Sequence, residues 1–368
     1  MQNNFSVDNC CAIIVLGDRM DTKLFSINPN EMDREALHKA GQIIKDGGLV
    51  AFPTETVYGL GGDALNKQSS QKIYAAKGRP SDNPLIVHIC CMEDLEKIVK
   101  EIPDKAKALA EAFWPGPLTM IFEKSDVVPF ETTGGLSTVA VRMPKDPIAL
   151  AFIRESGGYV AAPSANISGK PSPTLAKYVM EDMSGRIEAV IDGGEAVIGL
   201  ESTIIDLTGE VPMILRPGYI TKEMLLAVLE KVDEDKTMMN GDTGEKPKAP
   251  GMKYRHYAPK GSLTIISGTG ESVVERINQL TYEAMEQKKK TGVIATTENV
   301  AFYKADVIKN AGNRDNEETI AKELYRILRE FDDEEVEVIY SEAFDESGIG
   351  QAIMNRLLKA AGHHIEYI

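Results

Sequence analysis

"KGRPSDNPLIVHI", residues 77–89, sets a helix end, a turn and a strand back to back. Gly78 and Pro80 stop any helix arriving from "SSQKIYAA", because glycine gains little from staying helical and proline lacks the N–H that a helix needs. Ser81 to Pro84 are turn formers. Leu85 to Ile89 is a short apolar run bounded by turn signals, the pattern of a buried strand. A helix that turns straight into a buried strand is the repeating unit of an α/β protein. Two cations, Lys77 and Arg79, stand on that turn.

The same alternation extends both ways. "LVAFPTE", "LTMIF", "TVAVRMP", "YVAAPSAN", "AVIDGG", "STIIDLTG" and "PMILRPG" read as strands. "REALHKAGQIIKDGG" reads as a helix stopped by Gly47-Gly48, "SSQKIYAAKGRP" as a short helix with Ser as its cap, and "MEDLEKIVKEIPDKAKALAEAFWPGP" as helical with a break at Pro103. Two more helices are predicted near 148–155 and 174–183. Several strands follow one another with no helix between, so the expectation is a mixed, twisted open sheet rather than a purely parallel one. From residue 261 the order is regular: "SLTIISG", "TGVIATT" and "VEVIYSE" as strands, each followed by a helix. That predicts a smaller, parallel, Rossmann-like α/β domain. Its "SGTGES" holds only G-x-G, a plain strand-to-helix turn, and no dinucleotide is expected there. Between the two lies a Gly-, Pro- and charge-rich stretch without apolar period. The domains are therefore 21–230 and 261–368, with 231–260 as linker.

Two domains suit a 368-residue chain with 43% hydrophobic and 26% charged residues. Net charge is −15. Residues 1–220 carry 21 basic and 29 acidic groups (−8), residues 261–368 carry 12 and 20 (−8), and the segment between carries 8 and 7 (+1). Neither domain has the basic excess of a tight phosphate-backbone binder, although a few local cations suffice for a small anion. The four cysteines form adjacent pairs, Cys10-Cys11 and Cys90-Cys91, without C-x-x-C spacing. They read as structural or incidental residues of a reducing, cytoplasmic protein. "CCAIIVLG" is too short to span a membrane, and no basic residue precedes it as in a signal peptide.

A Gly- and Pro-rich turn exposes backbone N–H groups. In an extended stretch Lys77 and Arg79 would share a face, and together they suit a polyphosphate. On those residues alone a solvated surface pair is the competing reading. Other hydroxyl-rich turns add weight: Thr54 and Thr56 in "PTETVYGLGGDA", Ser164, Asn166, Ser168 and Ser172 in "APSANISGKPSPT", Ser202 and Thr203 in "GLESTIID", and Arg216 in "LRPG". With no Cys/His metal cluster, these loops suggest a polar pocket for a nucleotide and a small polar substrate.

"FPTETVYGL", "YAAKGRPSDNPL", "AAPSANISG", "ESTIID" and "LRPG", in this order, closely resemble the YrdC-like family; the K-x-R followed by S-x-N is its signature. The second domain, joined through "PGMKYRHYAP", is similar to that of the long, two-domain threonylcarbamoyl-adenylate synthases. The resemblance runs from about Asp21 to the C-terminus. It implies an enzyme, a nucleotidyltransferase, that makes L-threonylcarbamoyl-AMP and pyrophosphate from L-threonine, bicarbonate and ATP, with Mg2+ and no redox cofactor. Partner proteins then transfer the threonylcarbamoyl group to tRNA, which the synthase itself touches at most transiently. By matching position, the resemblance implies ATP contacts at Lys77, Arg79, Asn83, Thr138, Ser164, Asn166, Ser172 and Arg216, with Lys77 and Arg79 on the phosphates as the catalytic pair. It implies threonine contacts at Thr56, His88, Arg142, Ser202 and the backbone of Ala162. His88 ends an apolar strand, so on the residues alone it reads as a satisfied core histidine.

The segment "KYRHYAP" admits two readings. It is a tether with docking aromatics, or a lid in which Tyr254, Arg255, His256 or Tyr257 folds over the pocket between Gly251 and Pro259; Tyr254 and His256 then join the ATP contacts. The charge balance disfavours an RNA-binding module. A carbamoyl-transferring enzyme would carry zinc-finger-like and acylphosphatase-like parts, which the sequence lacks.

Overall fold

The computed structural model describes residues 20–235, Ala249 and residues 256–368. Its first part holds, in order, β1 (Lys23–Ser26), α1 (Arg34–Lys45), β2 (Val50–Phe52), β3 (Gly59–Asp63), α2 (Lys67–Lys77), β4 (Ile86–His88), α3 (Met92–Ile98), α4 (Asp104–Phe113) and β5 (Leu118–Glu123). There follow β6 (Thr138–Arg142), α5 (Pro147–Glu155), β7 (Val160–Ala161), α6 (Ala176–Met183), β8 (Ala189–Asp192), β9 (Thr203–Asp206), β10 (Met213–Arg216), α7 (Lys222–Leu226) and β11 (Asp233–Glu234). The second part runs β12 (Ser262–Ser267), α8 (Glu271–Glu286), β13 (Thr291–Thr296), β14 (Val307–Gly312), α9 (Glu317–Asp333), β15 (Val338–Glu342), α10 (Gly348–Ala360) and β16 (Ile365–Tyr367).

The strands of the first part form one eleven-stranded mixed sheet, ordered β1-β8-β2-β3-β7-β4-β6-β5-β9-β10-β11. Strand alternation divides its side chains between two cores. Leu49 and Ala51 join Leu60, Val87, Met120 and Val141 on one face, with Leu95 of α3 and Leu109 of α4. Val50 and Phe52 point the other way, onto Leu37, Ala40 and Ile44 of α1 and Phe152 of α5. Along β4, β5, β6 and β9 that second face carries Ile86, Ile121, Ala140 and Ile204, and Ala249 packs on them. The second part is a five-stranded parallel sheet, β14-β13-β15-β12-β16. Helices α9 and α10 cover the face of Ile265, Ile294 and Ile339. Helix α8 covers the face of Ile266, Val293 and Tyr340.

Several local expectations change. Helix α2 is capped by Asn66, whose side chain accepts from the Gln68 N–H; Ser69 and Ser70 lie inside the helix, fully buried. Lys77 and Arg79 do not lie on an extended stretch. Lys77 ends α2, and Gly78 follows in the left-handed conformation (φ 61°), a C-terminal cap open to glycine. The "GLGG" that reads as a flexible turn is β3, paired with β2 and β7. Strand β11 lies within the expected linker, because Asp233 and Glu234 pair with Met213 and Ile214. Strands β1, β14 and β16 are too short or too polar to signal themselves by period, and only a neighbouring strand defines them.

Helices α1 and α5 cross where α1 carries Gly41, at which a Cβ would lie 2.6 Å from the backbone carbon of Glu155. Gly41→Ala gains about 1 kcal/mol of helix propensity and incurs an overpacking cost of about 1–3 kcal/mol against an immobile backbone. The expected net is destabilisation, read as a lower urea midpoint. A higher midpoint would show that the crossing can open.

Candidate active site

The pocket opens on the sheet face that α1 and α5 leave uncovered. Parallel pairing of β4 with β6 sets His88 opposite Arg142, and antiparallel β5 sets Thr119 opposite Arg142, so all three point to one side. The cavity encloses roughly 680 Å³ including its mouth. Lys77, Arg79, Thr56, His88, Arg142, Ala162, Ser164, Asn166, Ser202, Arg216 and His256 line it. The structure thus gathers most of the expected contacts from helix α2, strands β4, β6 and β10 and several separate loops.

The Arg142 guanidinium is held on three sides. Nε donates to Gly116 O (3.3 Å), Nη1 to Thr56 Oγ1 (2.9 Å), and Nη2 lies 2.7 Å from Glu55 Oε1. His88 Nδ1 donates to Ile86 O (3.2 Å). Burial and the adjacent Arg142 push the His88 pKa down to about 3, so the ring is neutral and its Nε2 is an acceptor. The Ala162 N–H is spent on Ile86 O (2.8 Å).

Across the cavity, Lys77 Nζ donates to the Ser164 and Asn166 carbonyls and faces Asn166 Oδ1 at 3.5 Å. Burial, then the neighbouring Arg79, holds its pKa well below the ordinary lysine value. Arg79 donates to Asn83 O (3.2 Å) and Pro84 O (3.1 Å), and burial lowers it to about 10. Arg216 Nε donates to Ser202 O (3.1 Å) and Nη2 to Ser202 Oγ (3.2 Å). His256 is buried, its Nε2 has no hydrogen-bond partner among the described residues, and burial together with Arg79 lowers its pKa to about 3. Tyr257 also lines the pocket. Tyr254, Arg255 and Gly251 lie outside the described residues.

Three expected contacts do not line the cavity. Asn83 is buried beside it, its carbonyl taken by Arg79. Thr138 shares the face of Arg142 but stands at the far end of β6, about 13 Å away along the strand. Ser172 turns away, and its Oγ donates to Glu201 Oε1 (2.6 Å).

Two carboxylates were missed although both lie inside quoted motifs: Glu55 in "PTETVYGL" and Glu201 in "GLESTIID". A phosphate pocket calls for cations and hydroxyls, so nothing in the motifs alone singles out either acid. Glu201 accepts from Ser172, from Tyr325 OH (2.8 Å) and from Arg356 Nε (2.9 Å). Burial alone would raise its pKa; Arg356 and Arg216 override that and hold it at about 2. Among the described residues, the group spaced to hold a metal is Cys90, Cys91 and Asp94, which is outside the pocket.

A family model described as telomere recombination matches residues 42–218, and one described as threonylcarbamoyl-AMP synthase, C-terminal domain, matches residues 220–362. The threonylcarbamoyl-AMP synthase of Bacillus subtilis is 49% identical over 328 residues, 89% of this chain and 93% of that protein. The synthase of Pyrococcus abyssi is 50% identical over 326 residues, 89% of this chain and 94% of that protein. The solved structure of Pyrococcus abyssi Sua5 complexed with L-threonine superposes with a TM-score of 0.90 at 46% identity, covering 94% of this chain and all of that one.

The two buried histidines predict an acid limb of stability. Their folded pKa values near 3 lie below the ordinary 6.5. As pH falls from 6.5 toward 3, the unfolded chain binds protons that the folded chain refuses. Stability is therefore lost with falling pH, by up to about 1.4 kcal/mol per unit per histidine. His88→Gln should flatten the urea-midpoint profile between pH 6.5 and 4.5. An unchanged slope would mean that His88 titrates normally when folded.

Proposed function

The chain belongs to the threonylcarbamoyl-AMP synthase family, and from that premise we propose how its pocket makes L-threonylcarbamoyl-AMP from L-threonine, bicarbonate and ATP with release of pyrophosphate, the first step of threonylcarbamoyladenosine formation in tRNA. One observation carries the assignment of parts. A single cavity joins Lys77, Arg79 and Arg216 to Arg142, His88 and Thr56, with Ser202 hydrogen-bonded to Arg216 between the two groups.

Threonine takes the Arg142 side. A planar guanidinium already fixed by Gly116 O and Thr56 offers its remaining N–H groups to the substrate carboxylate. Neutral His88 adds no charge to repel the substrate ammonium and accepts a hydrogen bond from its amine or hydroxyl. The amine loses a proton and combines with bicarbonate, forming the N–C bond of the carbamate and releasing water. A carbamate oxygen attacks the α-phosphorus of ATP, the bond to the β-phosphate oxygen breaks, and pyrophosphate leaves. No nucleophile of the chain enters a covalent intermediate. The gain comes from alignment and from Lys77, Arg79 and Arg216 facing the phosphates. His256 and Tyr257, buried over the pocket, keep water from the carbamate and the mixed anhydride.

The pocket's donors do not fit a protein-held magnesium ion. Both Glu201 oxygens are taken by donors; Glu55, whose oxygens accept no hydrogen bond among the described residues, is ion-paired to Arg142 at 2.7 Å and does not line the cavity. Magnesium accompanying ATP is held by the phosphates themselves. The enzyme is a nucleotidyltransferase of the cytoplasm. Its product passes to a threonylcarbamoyl-transferring partner, and tRNA meets this acidic chain at most briefly. Among the described residues, no helix is long and apolar enough to cross a membrane.

The reading is tested by mass spectrometry of products from ATP, bicarbonate and threonine; absence of the adenylate overturns it. Arg79→Ala should lower turnover by about 10–150-fold, the worth of one charge-assisted contact, and leave threonine affinity by calorimetry unchanged. Lost threonine binding with ATP binding intact would reverse the assignment of the two walls. Serine in place of threonine should lower kcat/KM by roughly 10–200-fold if the methyl group is packed. Equal values would remove that contact.

A further inference from the structure

Relatives exist without the second part. A Mycobacterium tuberculosis protein named putative threonylcarbamoyl-AMP synthase is 36% identical over 208 residues, which span 56% of this chain and 95% of that protein. The second part is therefore not required by every pocket of this kind, and its helices raise a separate question here. Two of the three donors to Glu201 come from it. Tyr325 OH on α9 donates at 2.8 Å, and Arg356 Nε on α10 donates at 2.9 Å. Arg356 is fully buried, Tyr325 likewise, and Glu201 is 7% exposed.

The third donor, Ser172, belongs to the loop that supplies Ser164 and Asn166. Glu201 also directly precedes Ser202, whose carbonyl and hydroxyl both accept from Arg216 and whose hydroxyl meets Thr119 Oγ1 at 2.7 Å. One carboxylate thus sits at the junction of the 164–172 loop, the Ser202–Arg216 pair and two helices of the other sheet. Tyr257 extends the same contact. Its ring lies 5.1 Å from that of Tyr325, with Arg356 6.0 Å from its centroid. The backbone closes on α9 as well: a Cβ at Gly199 would lie 2.5 Å from the Lys322 Cα.

We propose that Arg356 and Tyr325 are positioning residues for the ATP side of the pocket, acting from the C-terminal sheet by fixing the Glu201 carboxylate and, through it, Ser172 and Arg216. The proposal rests on the assignment of that wall to ATP. Mere adhesion of the two parts is the alternative, and other contacts already serve it. Arg329 donates to Pro171 O (2.6 Å) and Asp182 (2.7 Å), Tyr219 to Glu318 (2.9 Å), and Gln351 to Glu234 (2.9 Å). None of these touches Glu201. Glu201 is the anion through which loss of Arg356 would be felt in the pocket, because its field also acts on Arg216. Without Arg356, an uncompensated buried carboxylate competes with ATP for the wall's own cations.

That mechanism separates positioning from adhesion. In Arg356→Met, KM for ATP should rise about tenfold or more, while the threonine dissociation constant by calorimetry stays within about twofold. Adding Glu201→Gln to that variant should restore most of the ATP KM, since a neutral amide accepts from one of the Ser172 and Tyr325 hydroxyls and donates to the other, without the stray charge. Arg356→Lys should lie between parent and Met. Tyr325→Phe, which removes one donor and no charge, should move KM for ATP in the same direction by less; it carries the test where Arg356→Met does not fold. Unchanged ATP KM in Arg356→Met, or in Tyr325→Phe where that variant carries the test, equal losses for ATP and threonine, or no recovery with Glu201→Gln each overturn the proposal. A parent protein that forms no adenylate overturns the proposed reaction instead. Titration of parent and Arg356→Met with ATP alone still decides the positioning: equal affinities reject it, and weaker binding by the variant supports it.

Discussion

Four cations lie in one pocket almost without access to water. Lys77, Arg79, Arg142 and Arg216 are 2–8% exposed, and burying an ion without partners is among the costliest things a fold can do. Much of the local architecture answers that constraint. The 164–166 loop turns its carbonyls to Lys77, and Asn83 and Pro84 turn theirs to Arg79. Glu55 and Glu201 supply negative charge beside Arg142 and Arg216. Carbonyls and two carboxylates offset much of the desolvation, and a bound polyanion supplies further compensation.

The mixed sheet makes such a pocket possible. Its apolar cores take one face along its length and, on the other face, the ground under α1 and α5 and a smaller cluster of Ile86, Ile121, Ala140 and Ile204. Next to that cluster the cross-strand neighbours turn polar: His88 beside Arg142, and Arg142 beside Thr119. The parallel sheet of the second part lends α9 and α10 to the same region, where Glu201 meets Tyr325 and Arg356. The two parts therefore share an ionic contact at the pocket wall rather than only a surface.

Much of this was legible in the residues. Gly78 and Pro80 announced the end of α2, and the apolar runs announced most central strands, because buried strands need little but length and apolarity. The strand–helix alternation after residue 261 announced the parallel sheet. The hydroxyl-rich turns named the loops that converge. Strands β1, β11, β14 and β16 escaped, since they lack the continuous apolar run of the central strands and only partners across the sheet define them. Thr138 and Ser172 illustrate the limit at the site. A motif places a residue on a loop or strand, and fixes neither how far along the strand the cavity reaches, as at Thr138, nor which way the side chain is turned, as at Ser172.

The sequence by itself determined the α/β class, the two-part order, the loops that carry the site and the family. Each of these follows from local signals: a breaker, an apolar period or a short motif. Tertiary structure alone decided the state of the charges. Glu55 and Glu201 are ordinary acids in the sequence, as Arg356 is an ordinary base more than 150 positions from Glu201. Only packing removes water from around them, and only then do Arg356 and Arg216 hold Glu201 ionised and do the two carboxylates help fix the Arg142 and Arg216 side chains.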